Sequence, residues 1–304
     1  MIDDLPAIVG TSPAIQSLKR FISRAARYET CVLIMGETGV GKELAARSIH
    51  NTSPRKSGPF LCLNCTTINE NLIEIEMFGH RKGAFTGAFR DRTGIIESSS
   101  GGSLLLDEIG DTSLSFQGKL LAITENNEIR RVGETTSHKV NTRYMFATNK
   151  DLRWLIRRKL FREDLYYRID ILSFTIPPLR ERREDIPPLV EMFLQQLHAR
   201  YGRRFHIAKE ALAVLQQYDF PGNVRELEHI ILRAALLTDE DTISASSISL
   251  DQTTELPSRN SSRGRFRHSE VLRTLLECQG NKSQAATKLG ISRMHLYRLL
   301  SRFD

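Results

Sequence analysis

The chain has 304 residues, 40% hydrophobic and 26% charged; this is ordinary globular composition, with room for two domains and a small third. No apolar run reaches the length of a bilayer span, and the N-terminal MIDDLPAIVG has no basic leader before an apolar stretch, so neither a membrane partner nor a secretory signal is expected and the expected location is cytoplasmic. The formal charge of +7 is concentrated: residues 258–304 hold ten basic and three acidic side chains, which accounts for all of it and points that segment toward a polyanion.

In chain order, short apolar runs at 31–35, Phe60–Asn64, Ser103–Asp107, 144–147 and 171–176 alternate with helix-like segments. That alternation predicts a mostly parallel α/β sheet with helices on both faces. From Ile186 the pattern changes to amphipathic helices, predicted over Ile186–Tyr201, 209–218 and Asn223–Leu237, without intervening strands. Residues 251–267, rich in Ser, Thr and Arg, read as a flexible linker. Helical periodicity returns at 268–304. Of the four cysteines (Cys31, Cys62, Cys65, Cys278), Cys62 and Cys65 form a C-x-x-C pair, but it sits in the strand FLCLNC and has no second pair at zinc-site spacing. Buried or incidental thiols are expected.

GETGVGK at 36–42 has the pattern G-x-x-x-x-G-K, preceded by the strand CVLIM and followed by the helix ELAARSIH. Its glycines let backbone N–H groups of Gly36, Glu37, Thr38, Gly39, Val40 and Gly41 turn inward on phosphate oxygens. The helix start adds positive potential, and Lys42 reaches the outer phosphates. Glu43 stands where a magnesium-binding Ser or Thr usually follows the Lys. The run SLLLDE supplies the alternative, a Walker-B arrangement. Asp107 at the strand end is placed to ligate Mg²⁺, and Glu108 to orient or deprotonate the attacking water. ATP hydrolysis with Mg²⁺ is the reaction expected.

Between these motifs lies FGHRKGAFTGAF, a small-residue loop with one aromatic and one hydroxyl, suited to touching a partner. Gly83-Ala84-Phe85-Thr86-Gly87-Ala88 resembles the signature of the sigma-54-dependent transcriptional activators (bacterial enhancer-binding proteins), a branch of the AAA+ ATPases. GETGVGKE, GGSLLLDEIGD, FREDLYYRI, PPLRERREDI and PGNVRELEH match in the family's order, over about residues 8–237. In that family GKE is common, so Glu43 ceases to be anomalous.

The resemblance implies an AAA+ P-loop core with a parallel sheet at 1–180, a helical lid at 181–250, the linker at 251–267 and an all-α DNA-binding module at 268–304. It implies that Ile8 and Val9 line the adenine pocket and that Asn64 restrains the catalytic Glu108. Thr148 and Asn149 would be sensor I, Arg225 sensor II, and Arg162 and Arg168 the arginine fingers entering a neighbour's site in a hexameric ring. Phe85 and Thr86 would contact sigma-54 in its RNA polymerase holoenzyme. Two strings depart from the family's usual wording: KLFRED, where a Gly often precedes the finger segment, and VGETTSHKVN, which replaces a Gly-rich string.

GNKSQAATKLGISRMHLYRLLSRF looks like a Fis-type helix-turn-helix, and its signals are readable directly. Asn281 and Ser292 cap two helices, and Gly290 permits the turn between them. Leu296, Leu299 and Leu300 share one face of the second helix, leaving Arg293, His295, Arg298 and Arg302 for the major groove of double-stranded DNA and Lys282 and Lys288 for phosphates. Such modules act as dimers, so a paired, enhancer-like site and a resting dimer are expected. With the phosphate loop opening at Gly36, no sensing domain is expected ahead of it; control comes in trans from a regulatory protein, from abundance, or from a domain absent here. Two readings compete with the activator: a DNA-binding regulator using the fold to sense ligand or nucleotide without remodelling polymerase, and an AAA+ replication initiator.

Overall fold

The computed structural model describes residues 8–66, 70–238 and 240–250, with Thr274 and Cys278 besides. By its contacts the chain divides into two units, Met1–Ser249 and Leu250–Asp304; the elements that follow belong to the first. The expected linker and, those two positions apart, the helix-turn-helix lie outside the described residues, and with them Lys282, Ser292, Arg293, His295, Arg298 and Arg302.

Five parallel strands form the central sheet: Val32–Met35, Phe60–Asn64, Ser103–Asp107, Arg143–Thr148 and Leu172–Thr175. Taken as first to fifth, they lie in the order second, third, fourth, first, fifth. The third and fourth strands are buried along nearly their whole length, as strands covered on both faces must be. The edge strands, second and fifth, are only partly covered.

Because successive side chains point to opposite faces, the same apolar runs build two cores. Leu33, Leu104, Leu106 and Phe146 pack on one face with Phe116, Leu120 and Leu165. Ile34, Leu105, Met145 and Ala147 pack on the other with Ile15, Leu18, Ala45 and Ile49. Each such side chain contributes about 1.5–3 kcal/mol by leaving water. The covering helices are α1 (Pro13–Ala25), α2 (Lys42–Thr52), α3 (Glu70–Phe78), α4 (Ile95–Ser98), α5 (Leu114–Asn126), α6 (Leu152–Arg157) and α7 (Glu163–Ile169). α1 starts where Ser12 Oγ accepts from Ile15 N and Pro13 takes the first position.

A helical lid follows: α8 (Ile186–Tyr201), α9 (Lys209–Gln217) and α10 (Asn223–Leu237). α8 buries Ile186, Leu189, Val190, Phe193, Leu194 and Leu197, a helical stripe, and stops at Gly202 with φ 72°. α10 buries Leu227, Ile230, Ile231, Ala234 and Ala235. The outer lid helices and the second and third strands have the predicted ends; the first strand starts one residue late, the fourth is one residue longer at each end and the fifth one shorter at each end. Two short hairpins were not predicted, Gly79–His80 with Arg92–Thr93 and Glu128–Ile129 with His138–Lys139, and the lid is not strand-free as expected: His206–Ile207, between α8 and α9, pairs in parallel with Thr242–Ile243. Two-residue strands leave no periodicity to read. No helix among the described residues is long and apolar enough to cross a membrane.

Candidate functional site

The sheet topology brings the C-terminal ends of the first, third and fourth strands together, and three motifs meet there. After Met35 the chain turns through Gly36, Gly39 and Gly41, all at positive φ, and enters α2 at Lys42. The start of α2 therefore faces the cleft with its unpaired N–H groups. Lys42 is only 6% exposed; its Nζ donates to Gly36 O (3.0 Å) and Glu37 O (3.4 Å) and lies 3.6 Å from Glu108 Oε1.

Asp107 ends the third strand, level with Asn64 of the second. Its Oδ1 accepts from Glu108 N (2.9 Å). Glu108 is held in the left-handed region at φ 57°, which re-aims its side chain as the strand ends. Its Oε2 accepts from Asn149 N (3.1 Å), and Asn149 Nδ2 donates to Thr38 Oγ1 (3.1 Å). Asn149 thus ties the general-base candidate to the phosphate loop. Asn64 Oδ1 accepts from Thr66 N (2.8 Å) and Thr66 Oγ1 (2.7 Å).

A cleft of about 460 Å³ gathers Thr38, Gly39, Gly41, Lys42, Glu43, Asn64, Asp107, Glu108, Asn149 and Arg225. Thr66, Asp111, Val224 and Glu228 line it as well and were not predicted. Asp111, in the string DEIGD, pairs with Lys150; the third acid of that string was its signal. Among the described residues no group of three His, Cys, Asp or Glu is placed to hold a metal. Mg²⁺ typically takes one or two carboxylates and completes its shell with waters and phosphate oxygens. Asp107, whose Oδ1 is on a backbone N–H, is the carboxylate that would hold such an ion, through Oδ2. Burial first, then the charge of Asp107, pushes the Cys65 thiol up to about 12, so in the free protein it is not a thiolate nucleophile at neutral pH.

Other expected residues lie outside the cleft. Thr148 is fully buried; its carbonyl accepts from Gly36 N (3.2 Å) and its Oγ1 from Lys150 N (3.0 Å). Ile8 packs on the α1 side of the core and Val9 is half-buried. Next to them, Asp185 Oδ1 accepts from Thr11 N (2.7 Å) and Ser12 N (2.8 Å), fixing this segment to the root of the lid. Arg162 stands at the surface, its guanidinium on Asp164 (2.7 Å). Arg168 Nε donates to Thr124 O (3.0 Å) in the last turn of α5. Glu37 turns to the lid: Arg180 donates to it through Nη2 (2.6 Å) and Nη1 (2.9 Å), and Asn223 Nδ2 does so at 3.1 Å. These bonds, Arg180's first, hold its carboxyl down at about 2.

The segment 83–88 is a closed turn on a clamped base. Gly83 N donates to Ala88 O (2.9 Å) and Ala88 N to Phe85 O (3.1 Å). Below it, Arg81 bridges Asp91 (2.5 Å) and Glu134 (2.5 Å), and Arg81 N donates to Val132 O (3.0 Å), joining the two hairpins. Thr86 is exposed, as are Phe85 (40%) and Phe89 (86%). Phe85 touches His80 edge-on, 5.0 Å between centroids.

A parallel sheet with a Gly-Lys loop after its first strand, an Asp-Glu pair after its third, one strand (the fourth) between the two, and a helical lid defines a P-loop protein of the AAA+ class. Residues 8–175 match the sigma-54 interaction domain, 180–264 the AAA+ ATPase lid domain and 269–303 the Fis family of bacterial regulatory proteins. The chain belongs to the sigma-54 interaction domain family of AAA+ proteins. It is 46% identical over 239 residues to the Nif-specific regulatory protein of Klebsiella pneumoniae, covering 79% of this chain and 46% of that protein. With the Nif-specific regulatory protein of Azotobacter vinelandii it shares 44% over 243 residues, 80% of this chain and 47% of that one. The chain thus spans about half the length of the curated relatives it matches. Among solved structures, NtrX from Brucella abortus in complex with ADP aligns with a TM-score of 0.76 at 35% identity, over 99% of this chain and 69% of that one. The same protein in complex with ATP aligns at 0.74 and 35%, over 98% and 69%.

Proposed function

We propose that the chain is a sigma-54-dependent transcriptional activator: a cytoplasmic ATPase that assembles into a hexameric ring, binds enhancer-like DNA through its C-terminal module, and uses ATP hydrolysis to convert sigma-54 RNA polymerase from closed to open promoter complex. The observation that carries this reading is the pairing, in one fold, of the Lys42–Asp107–Glu108 cleft with an exposed Phe-Thr tip on a clamped base. The division into core (1–180), lid (181–250), linker (251–267) and DNA-binding module (268–304) is part of the proposal, as are a resting dimer and control by a protein in trans.

In this mechanism Lys42 and the N–H groups of the loop grip the β- and γ-phosphates. Glu108, with its carboxylate held by Asn149 N, aligns the attacking water. Asp107 would hold Mg²⁺, which when bound would supply charge neutralisation at the phosphates. Arg225 approaches from the lid; Arg162 and Arg168 come from the neighbouring subunit. Such trans guanidiniums are worth roughly 10³–10⁵ in rate in other NTPases, so an isolated subunit hydrolyses slowly. For Arg168 this entails leaving Thr124 O. Asn64 restrains Glu108 by exchanging its bonds to Thr66, and Thr148 and Asn149 relay loss of the γ-phosphate. Release of that phosphate shifts the loop at 83–88, whose Phe85 and Thr86 push on the sigma factor.

The test is open-complex formation on a sigma-54 promoter with holoenzyme, ATP and the full chain. Heparin-resistant complexes that require ATP are expected. Failure by a protein that binds DNA and hydrolyses ATP would favour a regulator that does not remodel polymerase.

A further inference from the structure

We propose that Asn223, with Glu37 and Arg180, is a positioning latch that fixes the lid helix on the phosphate loop and so sets where Arg225 stands over the cleft. This rests on the ATPase reading and assigns work to residues outside the cleft lining.

Asn223 is fully buried and opens α10 at φ 55°, a conformation that Asn tolerates better than other residues with a Cβ. Its carboxamide joins three segments distant in sequence. Nδ2 donates to Glu37 Oε2 (3.1 Å) and Thr38 O (3.1 Å), and Oδ1 accepts from Leu179 N (2.8 Å). Arg180 closes the arrangement with a two-pronged grip on Glu37. The backbone adds to it: Val224 N donates to Gly39 O (3.1 Å), and a Cβ on Gly39 would come within 2.3 Å of Gly222 O. Lid and loop therefore meet at a contact with no slack.

Arg225 follows Asn223 by two residues on the first turn of α10 and lines the cleft, as Asn223 does not. Its distance to a phosphate is thus governed by the seating of that turn. Glu37, although inside the phosphate-loop motif, spends its carboxylate on this seating. A displacement of about 1 Å in a group that acts on a transferring phosphoryl is worth on the order of 100-fold in rate.

The test is a double-mutant cycle in the full chain, reading kcat, KM and ADP affinity. Asn223→Gly keeps the permitted φ and removes the carboxamide with its methylene. We expect it to lower kcat about tenfold or more and to weaken ADP binding. Added to Arg225→Ala, it should cost less than about twofold further, because its effect passes through Arg225. Independent losses that multiply, or an unchanged kcat with only a lower melting temperature, would overturn the latch. Should Asn223→Gly fail to fold, Arg180→Lys, an exposed position that keeps charge and loses the fork, takes its place in the cycle: a loss absorbed by Arg225→Ala supports the latch, and a loss that multiplies with it overturns the latch. A wild-type chain that binds ADP and never splits ATP defeats the hydrolysis reading, and the cycle is then decided on ADP affinity.

Discussion

The phosphate-facing loop at 36–42 and the exposed loop at 83–88 both turn on glycines at positive φ, yet the space around them differs. A Cβ on Gly39 would meet Gly222 O at 2.3 Å and one on Gly36 would meet Ile176 O at 2.7 Å; at Gly83 and Gly87 it would meet nothing within 4 Å. The first loop is held on every side by β-strand, lid and its own lysine. The second is held at its base by Arg81, Asp91, Glu134 and the Val132 backbone, closed by its own Gly83–Ala88 hydrogen bond and touched by His80 at Phe85. The first loop is over-determined, as the proposed grip on phosphate in one geometry requires, whereas the second leaves Thr86 and part of the Phe85 ring exposed, as the proposed contact with a partner requires.

Substitutions in the two loops should therefore fail in different ways. The largest contrast is Lys42→Ala, which should lower nucleotide affinity on the order of 100-fold by calorimetry, while Thr86→Ala leaves it unchanged. Equal affinities for Lys42→Ala and wild type would break the comparison at its root. Glu108→Gln should keep ATP binding and lose roughly 10²–10⁴ in kcat; loss of binding instead would make it a structural residue. Smaller still is the steric contrast. Gly39→Ala should cost about 2–4 kcal/mol in urea denaturation, from both φ and the clash with Gly222 O. Gly83→Ala, with φ alone against it, should cost about 1–2 kcal/mol.

The smallest effect is a pH dependence. Glu37 sits at about 2, below its ordinary 4.5. A depressed carboxylate stabilises the fold above its ordinary value and loses that contribution as pH falls through the window from about 4.5 to 2. Wild type should weaken more than Glu37→Gln across that window in acid denaturation curves. The effect is modest because the side chain is 41% exposed.

Legibility in the sequence followed locality. GETGVGK and LLLDE are contiguous and carry their flanks with them, so Lys42, Asp107 and Glu108 were readable as one site. The lid helices were readable because residues such as Leu189, Phe193 and Leu197 repeat at helical spacing over many turns. The bond from Asn223 to Glu37 spans 186 positions, and nothing local in either residue announces it. Likewise the family resemblance sets Asn64 beside Asp107 and Glu108, but that its amide oxygen accepts from Thr66 is a matter of side-chain rotation no pattern encodes. Arg81, Asp91 and Glu134 carry no pattern in the sequence that links them, and it is two short hairpins that bring them together.

The central claim is that hydrolysis in the cleft is transmitted to the Phe85–Thr86 tip. It is tested most directly by measuring ATP turnover and sigma-54 open-complex yield in the same reaction for wild type and Thr86→Ala. Transmission through the tip predicts turnover within about twofold of wild type and open complexes reduced to background. Parallel loss of both activities, or full open-complex yield from the variant, would contradict it.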